Sequence, residues 1–135
     1  MERTTARLIS RAFFMQLDYS KLDGLVPAVI QDARTREVLM LGFMNEEAFQ
    51  KTLDTGFATF FSRTRQKLWM KGETSGNRLV VKEILVDCDD DSLVLLAEQE
   101  GPATCHEGYR SCFFRRIENG APLIVQERVV QEKTA

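Results

Sequence analysis

Apolar and polar positions alternate in short blocks along most of the chain. Residues 25–30 (LVPAVI) are apolar, residues 32–36 (DARTR) are polar, and residues 38–43 (VLMLGF) are apolar again. That pattern predicts a hairpin. Asn45 then precedes EEAFQKTLDTG. An N-capping amide, two acids (Glu46, Glu47) at the positive end of the dipole and a glycine stop at Gly56 predict a helix between them. FATFFSRT (residues 57–64) predicts another strand, and RQKLWMKGETSGNR (residues 65–78) reads as a long polar stretch. LVVKEILVDC (79–88) and SLVLLAEQ (92–99) predict a second hairpin around the acidic turn DCDDDS. CFFRRIENG (112–120) predicts a last strand and turn, with a tail after it. Repeats, low-complexity stretches and linkers are absent, so the expectation is one compact α+β domain, rich in antiparallel hairpins, with few helices and no βαβ rhythm.

Composition narrows this modestly. A chain of 135 residues with 44% hydrophobic content can bury a core without disulfides or metals. The net charge of −2 argues against general affinity for nucleic acid or anionic membranes, and no apolar run is long enough to span a bilayer. The segment MERTTARLISRAFFMQ carries Arg3, Arg7 and Arg11. It lacks a continuous apolar core and a small-residue cleavage site, so it reads as a short helix or frayed end rather than a secretory signal. An odd cysteine number without an export signal predicts reduced thiols and a cytoplasmic protein.

Candidate chemistry gathers in three stretches. Asp87, Asp89, Asp90 and Asp91 crowd one turn, where their repulsion opposes folding unless a cation offsets it; a plain solvated turn is the alternative. An EF-hand frame starting at Asp87 would put Asp89, Asp91 and Glu98 in ligand positions. Ser92 stands at its required glycine, however, and strand-like runs flank the loop, so that reading is excluded. Three carboxylates on a tight turn instead offer the hard oxygens that magnesium accepts. Cys88 lies among them, a soft donor beside hard ones, which suggests two metals of different softness.

The second stretch is ATCHEGYRSCFF, with Cys105, His106 and Cys112. With Cys88 these form C-x16-C-x6-C, which lacks the paired CxxC of structural zinc sites. Three thiolates and an open fourth position suit a catalytic zinc, whose bound water has a pKa near ~7; buried free cysteines are the alternative. His106, the single histidine, is a candidate general acid–base, although lone histidines are often structural hydrogen-bonders. In the third stretch Arg63, Arg65, Lys67, Lys71 and Arg78 surround Trp69, against one acid, Glu73. Guanidinium groups bind phosphate, an indole stacks on a base, and Gly72 and Gly76 permit close backbone approach. A phosphorylated nucleobase ligand fits this stretch; an RNA-binding loop on a non-catalytic module is the rival.

Taken together, VLMLGFMNEEA, SRTRQKLWMKGETSGN, VDCDDDSLVL and GPATCHEGYRSCFF closely resemble the phosphoribosyl-AMP cyclohydrolase family of histidine biosynthesis, in that order along the chain. The resemblance covers residues 23–116, leaving residues 1–22 as an N-terminal segment and 117–135 as a C-terminal tail. It implies zinc on Cys88, Cys105 and Cys112, magnesium on Asp87, Asp89 and Asp91, and proton transfer by His106. It further implies an intertwined homodimer whose zinc cysteines come from both copies, and substrate contacts from Arg63, Arg65, Trp69, Lys71, Glu73 and Ser75. The implied reaction is third in the pathway: hydrolysis of the N1–C6 bond of the adenine ring of 1-(5-phosphoribosyl)-AMP, with zinc-activated water attacking C6. Met70 departs from the polar residue that the family often carries there. The residues after Arg116 are too few for the pyrophosphohydrolase domain fused to some members, so a monofunctional chain is expected. Zinc deaminases share attack at a ring carbon, but their HxE and PCxxC elements are missing. A metal- or RNA-binding module without catalysis is the alternative from another class.

Overall fold

The computed structural model of the chain describes residues 16–131. The N-terminal helix or frayed end expected from the sequence falls almost wholly outside them. Strands β1 (Val26–Asp32) and β2 (Val38–Met44) form the first expected hairpin, with antiparallel register from Val26 opposite Met44. Asp32 closes its turn by accepting from the Arg34 and Thr35 amides at 2.8 and 2.9 Å. Helix α1 (Glu46–Thr55) starts where Asn45 accepts from the Ala48 amide at 2.8 Å and stops at Gly56, whose amide donates to the Thr52 carbonyl.

Two expectations needed correction. The stretch read as wholly polar contains strand β4 (Lys67–Met70), which pairs antiparallel with β3 (Thr59–Ser62). Its apolar residues Leu68 and Trp69 pack against the core, which outweighs the lysines on either side. After β7 (Arg115–Glu118), the expected tail returns as β8 (Ala121–Ile124) across a turn at Asn119 and Gly120, both with positive φ. Asn-Gly is the pair that such a hairpin turn favours.

Strands β5 (Leu79–Val86) and β6 (Leu93–Gln99) form the hairpin expected around the acidic turn, and they complete a sheet of order β2-β1-β6-β5. Within it β1 and β6 run parallel, from Ala28 opposite Leu93 to Asp32 opposite Ala97. This one parallel ladder joins two hairpins distant in sequence. Pro27 precedes the β1–β6 ladder, at a place where β1 is paired only with β2.

One face of this sheet forms the core. Val26, Ala28, Ile30, Leu93, Leu95, Leu79 and Val81 are buried there, in one cluster with Phe49 and Leu53 of α1 and Phe60 of β3. The other face is also apolar: Pro27, Val29, Leu41, Leu85 and Val94 line a groove of about 280 Å³, with Leu41 and Leu85 nearly half exposed. Among the described residues no helix is long and apolar enough to cross a membrane.

Candidate active site

The acidic turn is built around Asp87. Its Oδ1 accepts from the Asp91 amide (2.9 Å) and the Ser92 amide (3.3 Å), and its Oδ2 accepts from the Ser92 hydroxyl at 2.5 Å. These bonds, the serine hydroxyl foremost, hold its carboxyl well below the usual carboxylate range. The turn folds so that ligand atoms of Asp87, Asp89 and Asp91 lie within 4.8 Å of one another. Lys21 Nζ answers that charge, 2.8 Å from Asp89 Oδ2 and 3.0 Å from Asp91 Oδ2. Lys21 pulls the Asp91 pKa down, but the neighbouring carboxylates and burial together push it above its ordinary value. The two carboxylates raise the Lys21 pKa in turn. Strands flank the turn on both sides, as expected when the EF-hand was excluded.

Cys105 and Cys112 lie on one loop, close enough that the Cys105 sulfur acts on the Cys112 thiol. The loop is held from two directions. The Cys112 amide donates to the Leu39 carbonyl at 2.7 Å and Ser111 Oγ donates to the Val38 carbonyl at 2.7 Å, tying this end to β2. At the other end, the Cys105 amide donates to the Tyr109 carbonyl at 3.1 Å. Cys105 is buried, and its sulfur accepts from the Glu107 amide at 3.4 Å, an outer contact of the kind that stabilises thiolate ligands. Cys112 is exposed as a residue, yet its sulfur is partly desolvated. That burial and the Cys105 sulfur push its thiol up to about 11, against a downward pull from Lys71.

Beside this pair opens a cleft of about 440 Å³ lined by Arg65, Lys67, Trp69, Lys71, Glu73 and His106, with Met70 and Thr74 among its other walls. Three cations against one acid make it electropositive. Lys71 is largely buried, and burial holds its pKa below the ordinary lysine value, while the sulfurs of Cys112 and Cys105 oppose that shift. The same lysine therefore belongs to the cleft and to the surroundings of both thiols. Glu73 Oε1 accepts from the Met70 amide at 3.0 Å and closes the turn over Lys71 and Gly72. Trp69 packs against Phe60, ring centroids 5.2 Å apart. His106 is exposed, with Nε2 3.5 Å from Glu107 Oε2.

The structure thus gathers Arg65, Trp69, Lys71, Glu73 and His106 in one cleft, next to Cys105 and Cys112. Arg63 instead lies over the Phe43 ring, 4.1 Å from its centroid, and lines a separate hollow with Asn45 and Phe61. Ser75 accepts from the Asn77 amide and does not line the cleft. Cys88 stays with the aspartates. Among the described residues the three aspartates form the one group of three or more metal-ligating side chains that comes together within a single chain. Thr74 and Lys21 were not singled out from the sequence. Thr74 sits inside the KGETSG run, whereas the unbalanced charge of the acidic turn is the pointer to a cation such as Lys21.

The phosphoribosyl-AMP cyclohydrolase family model matches residues 40–114, which hold both cysteine stretches, the acidic turn and the cleft. A phosphoribosyl-AMP cyclohydrolase of Solibacter usitatus is 63% identical over 106 residues, covering 78% of this chain and 84% of the relative. One of Desulforapulum autotrophicum is 55% identical over 120 residues, covering 88% of this chain and 96% of the relative. One of Desulfatibacillum aliphaticivorans is 56% identical over 119 residues, covering 88% and 95%. At that identity and coverage, with a cationic cleft set against a thiol pair, the chain belongs to the phosphoribosyl-AMP cyclohydrolase family of enzymes.

Proposed function

We propose that the protein hydrolyses the N1–C6 bond of the adenine ring of 1-(5-phosphoribosyl)-AMP, the third step of histidine biosynthesis, as a cytoplasmic homodimer. Water's oxygen goes to C6, the ring C–N bond breaks, and N1 takes a proton. The observation that carries the reading is the cationic cleft opening beside Cys105 and Cys112, with His106 in its wall.

The donors fit two metals. Cys88, Cys105 and Cys112 are soft ligands of the kind zinc takes, and Asp87, Asp89 and Asp91 present hard oxygens close enough together for magnesium. When bound, zinc supplies Lewis acidity and magnesium supplies charge for orienting substrate oxygens. His106, exposed in the cleft wall, carries the proton between water and the leaving nitrogen. Arg65, Lys67 and Lys71 bind the phosphates, with the Arg65 guanidinium able to do so bidentately. Trp69 is anchored on Phe60 and offers its remaining surface to the adenine ring. Glu73 holds the turn that presents Lys71.

The separation of Cys88 from the other two thiols supports a zinc site completed by a second copy. The uncovered apolar sheet face supports the same dimer, because it borders the turn carrying Cys88 and includes Leu85, Val86 and Asp87. Apolar area of this kind on a single chain favours burial against another surface. The test is turnover of phosphoribosyl-AMP by purified protein before and after zinc chelation, beside Cys112→Ser. Zinc-dependent ring opening that Cys112→Ser loses supports the reading; zinc-replete protein that leaves the nucleotide intact overturns it.

A further inference from the structure

Residues beyond the β7–β8 hairpin fold back onto the loop that carries Cys105, His106 and Cys112. The Gly108 carbonyl, in the turn that follows Cys105, accepts from two successive backbone amides, Val129 at 2.8 Å and Val130 at 3.0 Å. The Tyr109 ring stacks on Phe114, centroids 3.7 Å apart and planes 2° from parallel, and the Arg128 guanidinium lies 5.2 Å from the Tyr109 centroid. Glu37 joins the two segments: Gln126 Nε2 donates to its Oε2 at 2.8 Å, and Arg110 Nε sits 3.2 Å from its Oε1 as an ion pair rather than a hydrogen bond. The Val125 amide donates to the Phe114 carbonyl at 2.9 Å, which starts the return. The approach is tight. A Cβ on Gly108, where φ is +96°, would stand 2.1 Å from the Val130 carbonyl oxygen.

We infer that residues 125–131 are a positioning strap that sets the spacing of the two thiols for metal binding. This rests on the zinc reading above. Cys112 is fixed to β2 through its own amide, whereas Cys105 starts the turn that Gly108 closes, the Gly108 amide donating to the Cys105 carbonyl at 3.0 Å. The distance between the sulfurs therefore depends on where that turn is held, and the strap holds it through the Val129 and Val130 amides. Zn–S bonds of about 2.3 Å leave little tolerance for a displaced ligand. Outer contacts that orient ligands typically change metal affinity about 10- to 100-fold when removed. The strap lies beyond residue 114, where the match to the family model ends.

The test uses full-length protein with Val129→Pro and Val130→Pro together, which removes both amide donors to Gly108 and leaves every loop residue unchanged. Arg128→Ala with Gln126→Ala is the second variant, in case the prolines disturb folding. Leu53→Ala is the control: it weakens the core away from the loop. Zinc affinity is read by competition with a chromogenic chelator, and ligand geometry by the thiolate charge-transfer and d–d bands of the cobalt-substituted protein. The strap variants are expected to lose at least about tenfold in zinc affinity and to shift the cobalt bands. Leu53→Ala is expected to melt earlier with unchanged affinity and bands. Wild-type-like affinity in both strap variants would overturn the strap alone. Absence of thiolate–cobalt bands in the wild type would overturn the zinc reading and the strap with it.

Discussion

Gly72 lies between Lys71 and Glu73 in the cleft wall, with φ of +81°. A Cβ there would stand 2.3 Å from the Asn77 carbonyl carbon and 2.4 Å from the Arg78 nitrogen. Both are backbone atoms, which cannot rotate away as a flexible side chain could. Gly76, four residues on, has φ of +85° but nothing within 4 Å of its added Cβ. Alanine at either position costs about 1–2 kcal/mol for the left-handed backbone, offset by about 0.4–1 kcal/mol through the stiffer unfolded chain. Only Gly72→Ala adds the steric penalty, about 1–3 kcal/mol for forced backbone displacement. Subtracting the two variants cancels the shared contributions and leaves that steric part. Urea denaturation followed by Trp69, the single tryptophan, reads the difference directly, at matched protein concentration so that any assembly contributes equally. Gly72→Ala is expected to unfold more easily than Gly76→Ala by at least about 1 kcal/mol and to lower kcat/KM, because the turn presenting Lys71 opens. Equal midpoints for the two variants would refute the reasoning.

Zinc binding is expected to weaken as pH falls. The Cys112 thiol, raised to about 11, is protonated throughout the neutral range, so each bound zinc must displace its proton. Apparent log affinity should rise by up to about one unit per pH unit for each thiol deprotonated, and chelator competition at about pH 6.5 and 8.5 checks this. Equal affinity at both values would contradict it. Lys21→Met removes the ammonium between Asp89 and Asp91. Metal-free protein should then melt earlier, and magnesium should raise the melting temperature more than it does in the wild type; equal magnesium shifts would count against the acidic turn as the metal site. Leu41→Lys places a charge on the uncovered sheet face. Light scattering should show monomers and turnover should be lost, whereas a persistent dimer would exclude that face as the interface.

Much of the candidate site was legible in the sequence because its residues are local. The three aspartates belong to one turn, Cys105 and His106 are adjacent, and most of the cleft comes from a single stretch of nine residues, 65–73. The helix was equally legible, since Asn45 and Gly56 cap it through contacts within a few residues. The parallel ladder between β1 and β6 was not, because it pairs segments more than sixty residues apart. Strand β4 escaped notice because a four-residue strand between charged neighbours has no room to display a period. Strand β8 escaped because Pro122 and a short apolar run resemble a tail until β7 is in place to pair with them. The runs VLMLGFM and LVLLAEQ are apolar at successive positions rather than alternating, a pattern of strands covered on both faces. A single chain covers only one. The return of residues 125–131 onto Gly108 left no mark in the sequence, because it rests on backbone amides that any residue but proline supplies.

The most direct test of the proposed shared zinc site is subunit mixing. Cys88→Ser and Cys112→Ser proteins, each purified alone, should hydrolyse no phosphoribosyl-AMP. Unfolded together, refolded with zinc and assayed, half of the dimers should be mixed and one of the two sites in each mixed dimer intact. About one quarter of the wild-type rate should therefore return. A mixture as inactive as its components would contradict a zinc site built from Cys88 of one copy and Cys105 and Cys112 of the other.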